Sequence, residues 1–132
     1  MPERRTIAEL LETARTQLDR LEPEAAYQAM LSDEALLIDT RCVEQLRAGG
    51  QIPGAIHVPL SVLYWRLDPA SGFDDPRLSD PTRRVVLVCA HGYSSSLAAA
   101  TLRQIGFSRA TDIVGGFEAW VAAGLPVEPV SG

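Results

Sequence analysis

The sequence predicts an α/β domain whose central, mainly parallel sheet is covered by helices on both faces. Three observations lead there. Strand-like and helix-like segments alternate along the chain, as in successive β-α-β units. The strand segments include continuous apolar runs such as "VVLV" at 85–88, which suit strands buried on both faces. No internal repeat or linker divides the 132 residues, a length that fits one domain.

Ile7, Leu10, Leu11, Ala14, Leu18 and Leu21 recur at helical spacing, predicting an amphipathic helix over 6–21. Its apolar stripe packs on its own domain or meets a partner, including a second copy of the chain. Residues 22–31 read as a second helix with Pro23 in its first turn, where the missing N–H costs nothing. "ALLIDT" at 35–40 is a short strand ending in polar residues, and 43–50 is a helical turn closed by glycines. A Pro-Gly turn in 51–59 leads into another short strand, and 61–67 spans one or two helical turns. The Pro- and Asp-rich stretch 68–81 is a loop. "RRVVLVC" at 83–89 is the clearest strand and 95–105 the clearest later helix. Residues 110–116 form a further core strand. Residues 117–124 form a last helix, stopped by Gly124 with Pro126 beyond.

The formal charge is −5, from 12 basic and 17 acidic side chains, which argues against a nucleic-acid-binding surface. Arg83-Arg84 reads as solvated strand-edge charge. The start has no apolar signal-type segment, and no apolar run is long enough to cross a bilayer. A cytoplasmic protein without membrane contact is expected. Two cysteines do not make a disulfide scaffold. Cys42, Cys89, His57 and His91 show no close zinc-type spacing, so no metal site is expected.

The junction "VVLVCAHGYSSSLAAA" carries the chemistry. Parallel sheets bind ligands beyond the carboxyl ends of their strands, and Cys89 stands at such an end. The loop Ala90, His91, Gly92, Tyr93, Ser94 turns its backbone N–H groups into an anion-holding nest, and Gly92 permits the tight bend. A helix N-terminus follows, capped by Ser94, Ser95 or Ser96. Both features favour thiolate, the nucleophilic form. The competing reading is a buried, inert cysteine.

The chain resembles the rhodanese-like domain family of sulfurtransferases. "LIDTRCVEQLRAGGQIPGAIHVP", "VVLVCAHGYSS" and "IVGGFEAWVAAGLPV" occur in the family's order and span about residues 20–128. The resemblance implies a five-stranded sheet with helices on both faces. It sets residues 1–21 apart as an N-terminal helical extension and places the rhodanese-like domain at 22–132. It also implies a sulfurtransferase that carries sulfane sulfur as a Cys89 persulfide, with Ala90 to Ser95 as the substrate loop. No cofactor is implied. The donor is a small sulfane-sulfur compound or a persulfidated protein, and the acceptor a thiol or cyanide. Many family members place arginines in the loop where this chain has Ala90 and Ser94, and Gln51 stands where the turn usually has histidine. An anion site without those guanidiniums disfavours thiosulfate and favours donors of lower charge.

Asp39 and Arg41 end the strand expected beside that of Cys89. They brace the loop, or Arg41 contacts substrate. His91 holds an anion or faces water, and Tyr93 forms a pocket wall or an exposed loop tip. His57 reads as structural. Cys42 is a candidate resolving thiol, provided the two cysteines approach closely enough. Trp65 and Trp120 read as core or groove lining. The loop 68–81 flanks the site or is a plain connection. Two other functions compete. One is a weak or inactive interaction module on the same fold. The other is a cysteine phosphatase or arsenate reductase, disfavoured because Ser95 occupies the position where phosphoryl chemistry needs an arginine.

Overall fold

Four short parallel strands form the sheet in the computed structural model, which describes residues 3–130. They are β1 (Leu36–Asp39), β2 (Ile56–His57), β3 (Val85–Val88) and β4 (Thr111–Asp112), in the order β2-β1-β3-β4. The register pairs Asp39 with Val88 and Val86 with Thr111. The helices are α1 (Ile7–Thr16), α2 (Pro23–Leu31), α3 (Val43–Gly49), α4 (Leu63–Leu67), α5 (Ser94–Gln104) and α6 (Gly116–Ala122), with a 3-10 turn at Leu60–Val62 before α4.

Alternation along the strands divides the core in two. Ile38, Val85 and Leu87 pack with Leu63, Leu67, Ala98, Leu102 and Phe107 on one face. Leu37, Val86 and Val88 pack with Ala26, Ala29, Phe117 and Trp120 on the other. Both faces are therefore dry, as the unbroken apolar run of β3 requires. None of the helices is long and apolar enough to cross a membrane among the described residues.

Two expectations are corrected. The sheet has four strands, not five. At the edge where a fifth would lie, the Leu21 N–H donates to the Asp112 carbonyl at 3.0 Å and the Leu21 carbonyl accepts from the Val114 N–H at 2.9 Å. That is a single-residue bridge. The same pairing explains why α1 ends at Thr16 rather than running to 21. The apolar period continues through Leu18 and Leu21, but the sheet edge recruits Leu21 and the core recruits Leu18. A capping box at Thr6 and Glu9 starts α1 (Glu9 N–H to Thr6 Oγ1, 3.1 Å; Thr6 N–H to Glu9 Oε1, 3.0 Å). The helix packs along α5 and buries Ala14.

Candidate active site

Cys89 directly follows β3, so its sulfur lies at the carboxyl end of the sheet, and the residue is only 5% exposed. The chain then turns within four residues and enters α5 at Ser94. Gly92 makes that turn possible. Its φ is +83°, and a Cβ there would come within 2.7 Å of the Gly115 nitrogen. Gly116 answers from α6, since a Cβ on it would strike the Cys89 carbonyl oxygen. This close passage lets the start of α6 donate to the loop. The Phe117 N–H bonds the Cys89 carbonyl at 2.7 Å and the Glu118 N–H bonds the Ala90 carbonyl at 3.1 Å. With those carbonyls engaged, the Gly92 and Ser95 N–H groups point at Cys89 Sγ, at 3.1 and 3.4 Å.

Burial pushes the Cys89 thiol up. The Ser95 and Ser94 hydroxyls and the Ser95 and Gly92 N–H groups pull it down and prevail, so the thiol lies below its ordinary value. The N-terminus of α5 adds its partial positive charge from the same side.

Beneath the sulfur lies a polar network that links distant parts of the chain. Cys89 Sγ is 3.1 Å from Ser95 Oγ, which donates to Asp112 Oδ2 at 2.7 Å. Ser96 Oγ donates to the same oxygen at 2.8 Å. Arg20 forks onto both Asp112 oxygens, at 2.8 and 3.2 Å. It also donates to the Gly92 carbonyl at 3.1 Å, where Arg15 donates at 2.8 Å. Arg15 Nε reaches Ser96 Oγ at 3.2 Å. The buried Asp112 carboxylate is thus paired and hydrogen-bonded, as burial of a charge demands. The segment read as an extension supplies two of the groups that hold the loop from behind.

The structure corrects one expectation at the helix start. No serine side chain caps α5, whose N-cap residue is Tyr93. The Ser95 and Ser96 hydroxyls turn to Asp112 instead. The single Ser95 hydroxyl proton goes to Asp112 when Cys89 is a thiol and turns to Sγ when it is a thiolate, with Asp112 still held by Ser96 and Arg20. A test follows. Ser95→Ala keeps the backbone amides and removes that donor. With a charge-assisted hydrogen bond worth about 1.5 kcal/mol, iodoacetamide alkylation of Cys89 at neutral pH should slow by roughly tenfold. Unchanged alkylation would mean that the hydroxyl does not support the thiolate.

Asp39 and Arg41 are both buried and paired with each other. Arg41 Nε and Nη2 fork onto Asp39 at 3.0 and 2.7 Å, and Nη2 also donates to the Gly50 carbonyl at 2.7 Å. The guanidinium lies 3.6 Å from the Phe117 ring centroid. It therefore braces the end of β1 against α3 and α6. His57 Nε2 lies 2.7 Å from the Arg41 carbonyl oxygen, a structural contact. His91 is exposed and bonds Glu118 Oε2 through Nδ1 at 2.7 Å. Tyr93 is exposed, with the Arg15 guanidinium 5.7 Å from its ring centroid.

Above the sulfur opens a cavity of about 450 Å³, walled by Thr40, Cys42, Gln45, Leu60, Tyr93 and Ser94, with Arg41, Cys89, Ala90 and His91 also in its lining. Cys42 is a free, exposed thiol facing the same cavity. The flank comes from residues 59–61. Residues 68–81 do not line the cavity. Trp120 is core and donates from Nε1 to the Pro126 carbonyl at 2.9 Å, whereas Trp65 is half exposed. Sequence reasoning missed Arg15, Arg20 and Asp112, and took Ser96 only as a possible helix cap. The one signal for Asp112 was an acidic residue inside an apolar strand segment.

A buried cysteine at a parallel-strand end, ringed by inward amides at a helix start, makes Cys89 the candidate nucleophile of this α/β domain. The rhodanese-like domain model matches residues 22–123, and the chain belongs to that family. Thiosulfate sulfurtransferase GlpE of Actinobacillus succinogenes is 33% identical over 110 residues, covering 83% of this chain and 90% of the relative. GlpE of Pseudomonas savastanoi pv. phaseolicola is 37% identical over 117 residues, covering 89% and 99%. A solved Rhodopseudomonas palustris protein of unknown function, described as a possible tyrosine phosphatase, superposes with a TM-score of 0.87 at 30% identity over 97% of this chain and 99% of that one. The polysulfide-sulfur transferase homodimer of Wolinella succinogenes superposes with a TM-score of 0.70 at 27% identity, covering 92% and 85%.

Proposed function

We propose that the protein is a sulfurtransferase that carries sulfane sulfur on Cys89. The observation that carries this reading is the pair of N–H groups, from Gly92 and Ser95, aimed at Sγ on the floor of the cavity. The sulfurtransferase names of the relatives support the reaction class. In the first half-reaction the Cys89 thiolate attacks the outer sulfur of a donor persulfide. A new S–S bond forms at Sγ, the donor's S–S bond breaks, and its electron pair leaves with the donor thiolate. In the second, an acceptor thiolate or cyanide attacks the terminal sulfur and the Cys89 thiolate is restored. Electrons balance without an added oxidant, and the same amides stabilise the anion at both stages. Such covalent transfer requires ping-pong kinetics. Rates measured over a grid of donor and acceptor concentrations should give parallel reciprocal lines. Intersecting lines would contradict a sulfur-loaded intermediate.

Donor choice follows from charge. The loop carries no guanidinium, and that of Arg41 is occupied by Asp39 and Gly50. A small persulfide or polysulfide is therefore the preferred donor, in keeping with the polysulfide chemistry of the Wolinella succinogenes neighbour. The thiosulfate dianion is taken with a high KM. Ser94 is exposed on the cavity wall, so Ser94→Arg should raise kcat/KM for thiosulfate about tenfold through a charge-assisted contact. An unchanged value would mean that charge at the mouth is not limiting.

The Rhodopseudomonas palustris neighbour raises a second reading, phosphoester hydrolysis. The loop argues against it. Ser95 takes the place an anion-clamping arginine would need, and Arg15 and Arg20 donate to the Gly92 carbonyl rather than toward the sulfur. No hydrolysis of p-nitrophenyl phosphate is expected.

A further inference from the structure

Thr111 Oγ1 is the one side-chain oxygen or nitrogen that is buried without a hydrogen-bond partner among the described residues. Thr111 opens β4, at the amino end of the sheet, while Cys89 lies at the carboxyl end. Thr111 pairs with Val86, three residues before Cys89, so the two lie about 10 Å apart along the strands. Thr111 lines a second cavity, of about 250 Å³, together with Asp19, Arg84, Arg103, Ser108 and Arg109. Arg84 precedes β3, Arg103 lies in the last turn of α5, and Arg109 lies in the turn before β4. The fold thus gathers three guanidiniums that the sequence scatters.

Their electrostatics are unusual for a chain of net charge −5. Arg103 Nε donates to the Ala110 carbonyl at 2.8 Å, which fixes its fork in place. None of the three makes an ion pair among the described residues, although Asp19 faces the same cavity. Three unpaired cations around a small polar space repel one another, and a buried hydroxyl without a partner adds to the cost. One tetrahedral oxyanion would relieve both, because guanidinium forks match its oxygens and the Thr111 and Ser108 hydroxyls can donate to it. The Asp19 carboxylate then calls for a donor beside the anion, such as a ligand hydroxyl.

We propose that Arg84, Arg103, Arg109 and Thr111 form a phosphate-binding site, suited to a small phosphomonoester, at the end of the sheet opposite Cys89. Neither Arg84 nor Arg109 takes part in the network beneath Cys89. The test is calorimetric titration of the wild-type protein with inorganic phosphate and with ribose 5-phosphate, at ionic strength held constant with sodium chloride. Saturable binding is expected. It should weaken at least tenfold in Arg84→Gln/Arg109→Gln, with transfer of sulfur from Cys89 unchanged. Thr111→Val should weaken binding several-fold while the ligand-free protein unfolds at no lower temperature, since it removes an unpartnered hydroxyl without changing shape. Tighter binding of ribose 5-phosphate than of phosphate would support a phosphomonoester whose hydroxyl meets Asp19. Equal binding would support a site for free phosphate. Absence of saturable binding, or binding undiminished in the double arginine variant, would overturn the proposal.

Discussion

Replacing Cys89 with serine should reduce sulfur transfer to the uncatalysed background while leaving the fold intact. Serine nearly matches cysteine in size and can keep the Gly92 and Ser95 N–H contacts, so the domain should unfold within a few degrees of the wild type. Its hydroxyl, however, stays protonated and forms no persulfide. The thiol itself can be titrated. Hydrogen bonds from Ser95, Ser94 and Gly92 outweigh the opposing effect of burial and lower it. The alkylation rate of wild-type Cys89 should therefore rise with pH and level off below the ordinary thiol range of about 8.5. Linkage has a definite sign for such a depressed group. Its contribution to stability is complete above the unfolded-state value and is lost as pH falls through the folded one. A rate that climbs only above the ordinary range would show a thiol that is not activated. Substantial transfer by Cys89→Ser would place the chemistry elsewhere.

The largest effect on stability should come from Arg41→Ala. The substitution leaves the Asp39 carboxylate buried without its fork and the Gly50 carbonyl without its donor. It also uncovers the face of Phe117. Breaking a buried pair from one side costs roughly 3–5 kcal/mol, a large share of the stability of a domain this size. Urea denaturation should show the midpoint falling accordingly. Asp39→Asn/Arg41→Met, which removes both charges, should recover part of the loss. A midpoint within error of wild type for Arg41→Ala would mean that water reaches the pair and that it does not brace the loop. Protein that remains folded at low temperature should still accept sulfur on Cys89, because Arg41 acts through the scaffold.

The parts of this architecture that the sequence makes legible are local. "VVLV" identifies β3 because its neighbours on both faces demand apolar residues, and the cysteine at its end marks the site because strand ends in parallel sheets face ligands. Asp39 and Arg41 are two residues apart, so their pairing could be anticipated. The network under the sulfur could not. Arg15 meets Ser96, and Arg20 meets Asp112, across most of the chain. The packing of α1 on α5 brings the first pair together, and the Leu21 bridge to the sheet edge brings the second. The same non-local forces defeated two local rules. Leu21 keeps helical spacing yet serves the sheet edge. Ser95 and Ser96 have cap chemistry, yet a buried carboxylate claims both hydroxyls. The arginine-lined cavity was hidden for the same reason, since Arg84, Arg103 and Arg109 converge only when β3, α5 and β4 are stacked.

Sulfur carried on Cys89 can be read directly from the mass of the intact protein. The wild type and Cys89→Ser would each be incubated with a polysulfide, desalted, weighed, treated with cyanide and weighed again. One added sulfur atom is expected on the wild type alone, removed by cyanide with release of thiocyanate. A wild type that gains no sulfur, or a Cys89→Ser variant that gains as much, would contradict it.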